Sequence, residues 1–396
     1  MNNRFIRAII SNPLNIFKIF YLNFKMFLFR LQGKKTIVYN IQMDYFYNTF
    51  EPIYVELLNN KKIVVYFAYY EGMQKLYDYL KAFIPTKYLI PSSISPFVYF
   101  DMFISAEKNG PDFPFSFFPT KKIQTYHGTG VYPLYQKTAV LSRFNLHFAI
   151  GPQFVEFVKT LPHTKKDENR YAEVGFPKLD AIFSPNPNFI HKLKNMYHIK
   201  NQFVILYTPH WNPYGSIHVL SLEMIAKLAQ LDNVAILIKV HHFLFTKYKE
   251  QNWRTTLQNF ADEHENVVLV TRANTQEIYS LGDMLITDTG TTAAFEFSIT
   301  KKPVFVFYNQ QWFENNQNAE VEKQIIDTAI NFTTIDEIVE YTRKLQNGNE
   351  EIQKEISDQQ IKQQQLIDKY LFNPGKATQA AVKVIKQELW HKYHER

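Results

Sequence analysis

The sequence contains no cysteine, which excludes a disulfide scaffold, thiolate metal sites and a cysteine nucleophile. A reducing, cytoplasmic setting is compatible with that. There is no HExxH motif and no Asp-x-Asp between apolar strands, so no metal or other cofactor is expected. An RNA-sheet motif, a zinc finger and a basic helix with base-reading residues are also missing, which argues against nucleic acid as a partner. No internal repeat is visible. Near the start, Asn15, Lys18, Asn23 and Lys25 interrupt the unbroken run of about 20 apolar residues that a spanning helix needs. No small-residue cleavage site follows, so the segment does not read as a secretory signal.

What is present is a chain of 396 residues, long enough for two domains. Apolar residues make up 46% and charged residues 20%, the composition of a folded globular protein. The formal charge of +7 suits a phosphorylated ligand or an anionic membrane surface. Residues 1–33 form a candidate amphipathic helix: Arg4, Arg7, Ser11, Asn15, Lys18 and Lys25 fall on one helical stripe, with Phe, Ile and Leu elsewhere. Such a basic amphipathic helix is suited to lying in an anionic membrane interface, and equally to packing on the protein's own core.

Short apolar runs alternate with helix-length segments. Strands are predicted at 35–41, 62–68, 102–107, 122–127 and 145–151, and again at 202–210, 234–242, 266–271, 284–290 and 303–308. This pattern predicts α/β architecture with two Rossmann-like, doubly wound domains in tandem, at 34–185 and 186–332, facing a cleft. Residues 333–396 read as helices closing the fold. Their glutamine run, "QQIKQQQ", reads as a solvated helix face, and Pro374 and Gly375 separate two helices.

Ligands of open α/β sheets sit beyond the carboxyl ends of the strands. His127 closes one predicted strand and is followed by Gly128 and Thr129. His210 closes another, Lys239 and His241 the next, and Asp288, Thr289, Gly290, Thr291 and Thr292 a later one. Each alone is an ordinary loop or N-cap residue; together they gather imidazoles, an ammonium and hydroxyls at the strand ends. The turn "DTGTT" before a helix has the hydroxyls and N–H groups that favour phosphate. Glu296, within that helix, is a candidate for a ribose hydroxyl or an ordinary helix charge. His241 and His242, as neighbours on a strand, would point to opposite faces and not share a metal.

These motifs, in order, resemble the CDP-glycerol glycerophosphotransferase family of teichoic acid and capsule synthesis. "TYHGTG" is similar to that family's His-Gly-Thr segment, "GFPKLD" to Gly-x-Pro-Arg-x-Asp, "LYTPHW" to Tyr-Ala-Pro-Thr-Trp and "IKVHH" to Lys-x-His-Pro. "MLITDTGTTAAFEF" resembles its Ile-Thr-Asp-Tyr-Ser-Ser helix start, and "NPGKATQAAVKVI" its Asp-Gly-Lys-Ala segment. The resemblance implies a GT-B-like fold with the donor nucleotide on the second domain. It implies His127 as general base, His241 assisting at the donor phosphates, and the hydroxyl turn holding the diphosphate. It further implies a CDP-glycerol or other nucleotide-linked donor, a lipid-linked or polymer acceptor, and a peripheral place on the inner face of the cell membrane. The lysine that usually follows His-Gly-Thr in the family is absent from its place, and "DTGTT" replaces Asp-Tyr-Ser-Ser. The donor therefore stays open between CDP-glycerol, CDP-ribitol and a nucleotide sugar. The alternatives are a glycosyltransferase, an enzyme like the UDP-sugar 2-epimerases, or a non-catalytic binding protein.

Overall fold

The computed structural model describes residues 13–106, 120–128, 141–161, 170–271, 275–316 and 320–390. The chain divides into two compact units. One comprises the described residues up to Asp180 together with those from Leu371 onward; the other is Ala181–Tyr370. The expected C-terminal block 333–396 is thus divided between the units.

The first unit is built on a seven-stranded sheet of β1 (Lys35–Ile41), β2 (Ile63–Tyr69), β3 (Leu89–Pro91), β4 (Met102–Ser105), β5 (Lys121–Gln124), β6 (Leu146–Ala149) and β7 (Tyr171–Glu173). The order is β3-β2-β1-β4-β5-β6-β7, and every pairing is parallel. Side chains alternate between the faces of a strand. On β1, Ile37, Tyr39 and Ile41 join Phe46, Phe50 and Leu57 of helix Asp44–Leu58 in one core cluster. Val38 packs on the other face with Leu22 and Met26 of helix Pro13–Leu31. Both faces are covered, which is why the central strand reads as a continuous apolar run.

The second unit has six parallel strands: β8 (Phe203–Thr208), β9 (Val234–Ile238), β10 (Val267–Leu269), β11 (Met284–Asp288), β12 (Val304–Phe307) and β13 (Ile330–Phe332). Their order, β10-β9-β8-β11-β12-β13, reverses direction between β8 and β11. That reversal is the topological switch point, where doubly wound sheets bind their ligands. All ten expected strands exist, with ends trimmed by a few residues. The three that were not foreseen, β3, β7 and β13, have three residues each and lie at sheet edges.

Two expectations change. The stripe of the N-terminal helix that looked basic turns only in part to the protein: Asn15 is buried and Lys25 lies about 6 Å from the rings of Tyr21, Phe29, Tyr66 and Tyr88, while Lys18 is exposed. Asn23 donates to the carbonyls of Ile19 and Phe97 and accepts from the N–H of Tyr99. Arg30 stacks on the Tyr99 ring at 3.4 Å. Polar groups hold the helix down, and Leu14, Phe17, Phe20, Tyr21, Phe24 and Phe27 face outward, with Phe17 and Phe20 each 72% exposed. Arg4, Arg7 and Ser11 lie outside the described residues.

The glutamine run is only in part a solvated face: Gln360, Gln364 and Gln365 are exposed, but Gln359 and Gln363 are buried. Gln359 bonds both the N–H and the carbonyl of Val304, at 3.0 and 2.8 Å. Gln360 and Gln363 donate to the carbonyls of Lys301 and Lys302. These side-chain amides complete backbone groups at the start of β12 that would otherwise be buried without partners.

Candidate active site

His127 and Gly128 belong to the first unit; Thr129 lies outside the described residues. Strand β5 ends at Gln124, so His127 stands three residues beyond it and does not close it. Tyr126 is buried and its hydroxyl meets Nδ1 of His147 at 3.0 Å, which anchors the approach to His127. Nδ1 of His127 is 3.2 Å from the carbonyl oxygen of Ala106. A carbonyl only accepts, so Nδ1 carries a hydrogen, and in the neutral ring the lone pair lies on Nε2. The Phe46 ring flanks the imidazole at 5.1 Å.

The remaining candidates belong to the second unit. His210 follows β8 and Asp288 ends β11, so the two flank the switch point. The main-chain N–H of His210 donates to Oδ2 of Asp288 at 2.6 Å. Ser216 also hydrogen-bonds Asp288, and its hydroxyl meets that of Tyr207 at 2.8 Å. Asp288 thereby ties the loop after β8 to the end of β11. Its carboxyl is pushed up to about 7, because burial outweighs the hydrogen bonds from Ser216 and His210. The other oxygen, Oδ1, is buried without a hydrogen-bond partner.

His210 and His241 share one arrangement. Nδ1 of His210 accepts from the N–H of Asn212 at 3.0 Å, and Nδ1 of His241 accepts from the N–H of Phe243 at 3.2 Å. A backbone N–H only donates, so in both neutral rings Nε2 carries the hydrogen. This tautomer is opposite to that of His127. Burial pushes His210 down to about 4, and His218 and Lys247 add to the effect. His241 is solvent-exposed, and partial loss of solvation, then His242, His210 and Lys247, move it below the usual histidine range. Both imidazoles are neutral N–H donors near pH 7.

Strand β9 ends at Ile238, so Lys239 is the first residue beyond it; its N–H donates to the carbonyl of Tyr207. His241 caps helix His242–Lys247, and the two histidine rings lie 4.4 Å apart. The strand alternation expected to separate them does not apply there. Among the described residues, no group of three His, Asp or Glu is placed to hold a metal ion.

The "DTGTT" turn leads into helix Ala293–Ser298. The Thr289 hydroxyl donates to the carbonyl of Phe307. That of Thr287 donates to the carbonyl of Thr208, so its oxygen takes the hydrogen of Thr291, 2.8 Å away. The hydrogens of Thr289 and Thr291 are thus committed inside the protein, whereas Thr292 makes no side-chain capping bond. Gly290 has φ +92°, and a Cβ there would lie 2.6 Å from Nε1 of Trp312. Only glycine fits. Its N–H donates to the buried carboxylate of Glu322 at 2.5 Å. Glu296 is buried and accepts from Gln276 at 2.7 Å and Tyr279 at 3.3 Å, which brace the start of that helix.

Sequence reading missed Thr287 and Ser216. Thr287 was legible only as a strand residue, and Ser216 only as a residue after a Pro-x-Gly turn. Two of the quoted motifs are joints of the fold. Asp180, from "GFPKLD", accepts from the N–H groups of Ala377 and Thr378, capping the helix that begins in "NPGKATQAA". Gly175 has φ +88°, and a Cβ there would overlap the carbonyl oxygen of Phe372.

Residues 162–386 match the family described as CDP-Glycerol:Poly(glycerophosphate) glycerophosphotransferase. Among solved structures, the chain is similar to the wall teichoic acid polymerase TagF, with 16% identity, a TM-score of 0.64 and full coverage of both chains. A TagF variant soaked with CDPG gives 15% identity and a TM-score of 0.63, again covering both chains fully. A putative UDP-N-acetylglucosamine 2-epimerase from Listeria monocytogenes gives 11% identity and a TM-score of 0.58, over 92% of this chain and 99% of that one. These likenesses are of fold, and they place both parallel-sheet units in the GT-B-like class. No curated protein matches the sequence.

Proposed function

Because the chain belongs to the CDP-glycerol:poly(glycerophosphate) glycerophosphotransferase family, we propose that it moves a glycerol-phosphate-like unit from a CDP-linked donor to a lipid-linked or polymer acceptor. The observation that carries this reading is that the histidines are in opposite tautomers. His127 keeps its Nε2 lone pair, as a general base requires. His210 and His241 present Nε2 hydrogens, as groups that stabilise phosphate oxygens require.

The acceptor hydroxyl oxygen bonds to the β-phosphorus while the bridging Pβ–O bond breaks and CMP leaves. His127 takes the hydroxyl proton. Charge gathering on CMP is met by His241, Lys239, His210 and the turn from Thr289 to Thr292, in which the Thr292 hydroxyl and the N–H groups of Thr291 and Thr292 do most of the holding, since those of Thr289 and Gly290 are bonded to Phe307 and Glu322. Asp288 and Glu296 position that turn through the bonds described above. The CDPG used with the TagF variant supports a CDP-linked donor.

The outward apolar face of helix Pro13–Leu31 supports a peripheral seat on the cytoplasmic side of the membrane, where a lipid-linked acceptor lies. No helix among the described residues is long and apolar enough to cross a membrane.

The test is product analysis. The full chain is incubated with CDP-glycerol, CDP-ribitol or a UDP-sugar and a lipid-linked polyol-phosphate acceptor. CMP released together with acceptor extension supports the reading. Release of UDP from the nucleotide sugar alone moves the protein to glycosyl transfer.

A further inference from the structure

Lys247, at the end of helix His242–Lys247, takes no part in the reaction as described so far. Its ammonium lies 3.8 Å from the centroid of the Trp211 indole and 5.0 Å from that of Phe243. The same two rings carry the donor histidines: Trp211 stacks on His210 at 5.2 Å, and Phe243 meets His241 at 4.8 Å. Trp211 and Phe243 meet each other edge to face at 5.3 Å. One aromatic pair therefore positions an ammonium and two imidazoles.

The cluster is unbalanced in charge. No ion pair among the described residues includes Lys247. His210 and His241 each feel Lys247, and the charged neighbours acting on them all oppose protonation. Among the described residues, no ion pair joins these three N–H donors to a carboxylate. A lysine stem lying on an indole is a common surface contact, but that contact does not account for two fixed Nε2–H donors beside it. An anion with several oxygens accounts for all three.

We propose that Lys247, held over Trp211, forms with His210 and His241 a binding subsite for the diphosphate of the nucleotide-linked donor. This rests on the donor reading above and adds to it a preset cation that the resemblance did not assign. Lysine serves here as a point charge, and the aromatic pair fixes its place before the ligand arrives.

The experiment is calorimetric titration of the full-length protein with two probes, inorganic pyrophosphate and CDP-glycerol. The variants are Lys247→Met, which keeps the stem on the indole, and Lys247→Arg, which keeps the charge. The expected result is that Met raises Kd for both probes about tenfold or more and Arg recovers most of the loss. Thermal melting of both variants reports whether they fold. The proposal is overturned if the wild type does not bind pyrophosphate, or if the folded Met variant binds it as tightly as the wild type. If pyrophosphate binding depends on Lys247 but no CDP-linked donor binds, the subsite stands and the donor reading falls.

Discussion

Nδ1 of His127 donates to the carbonyl oxygen of Ala106 across 3.2 Å, and this contact decides which ring nitrogen can receive a proton. Ala106 follows β4 and His127 follows β5, so the parallel pairing of those strands sets the tautomer. Replacing His127 with Asn is expected to lower transfer by a factor of about 10² to 10⁴, the usual contribution of a general base. CDP-glycerol affinity should be unchanged within about twofold. Turnover and calorimetry on the same preparation check this; a proportionate loss of affinity would make His127 a binding residue.

The three threonines of the turn should not be equivalent. Thr289 and Thr291 direct their hydroxyl hydrogens into the protein, at Phe307 and Thr287. Thr292→Ala should therefore weaken donor binding most, by about fivefold to tenfold, in line with the loss of one hydrogen bond. Thr289→Ala should instead lower the melting temperature and leave affinity nearly intact. Equal affinity losses in all three variants would contradict the arrangement.

Asp288 makes stability depend on pH. With its carboxyl raised to about 7, the native state keeps a proton that the unfolded chain has lost above its ordinary pKa of 3.8. The native state binds more protons in that window, so this group's contribution is full below about 4 and falls as pH rises through about 7. Asp288→Asn removes the titration and preserves the shape. Relative to wild type it should gain stability by up to ~1.4 kcal/mol per pH unit across the window, and no further above it. Denaturant unfolding at several pH values tests this; parallel profiles would show that Asp288 does not titrate there.

The outward face of helix Pro13–Leu31 gives a separate expectation. Phe17→Gln, Phe20→Gln and Phe24→Gln together remove exposed apolar surface and replace no buried side chain. Binding to anionic vesicles should drop at least tenfold while the melting temperature holds. Retained vesicle binding would assign that face to a protein neighbour.

Much of the fold was legible because central strands buried on both faces are unbroken apolar runs. Val38, between Ile37 and Tyr39, is as apolar as its neighbours because a helix covers each side. Edge strands such as Ile330–Phe332 are too short to show a period. In the site, residue types at strand ends were legible, but hydrogen directions were not. Nothing in "IKVHH" says that His241 turns Nδ1 toward Phe243, since the strand stops at Ile238 and a helix cap begins. The inward Lys25 defeated a helical-wheel argument for a physical reason: the rings of Tyr66 and Tyr88, outside the helix, lie about 6 Å from its ammonium, and a wheel cannot contain them.

The return of Leu371–Trp390 to the first unit has a consequence for biosynthesis. Ala381, Val382, Ile385 and Leu389 complete the core cluster around β1, and Asp180 caps the helix that carries them. As the ribosome delivers the chain, the whole of the second unit emerges before the first can close its core. An unfinished sheet of seven strands must wait, with part of its apolar face uncovered, while nearly two hundred further residues are made. The second unit, continuous from Ala181 to Tyr370, faces no such delay.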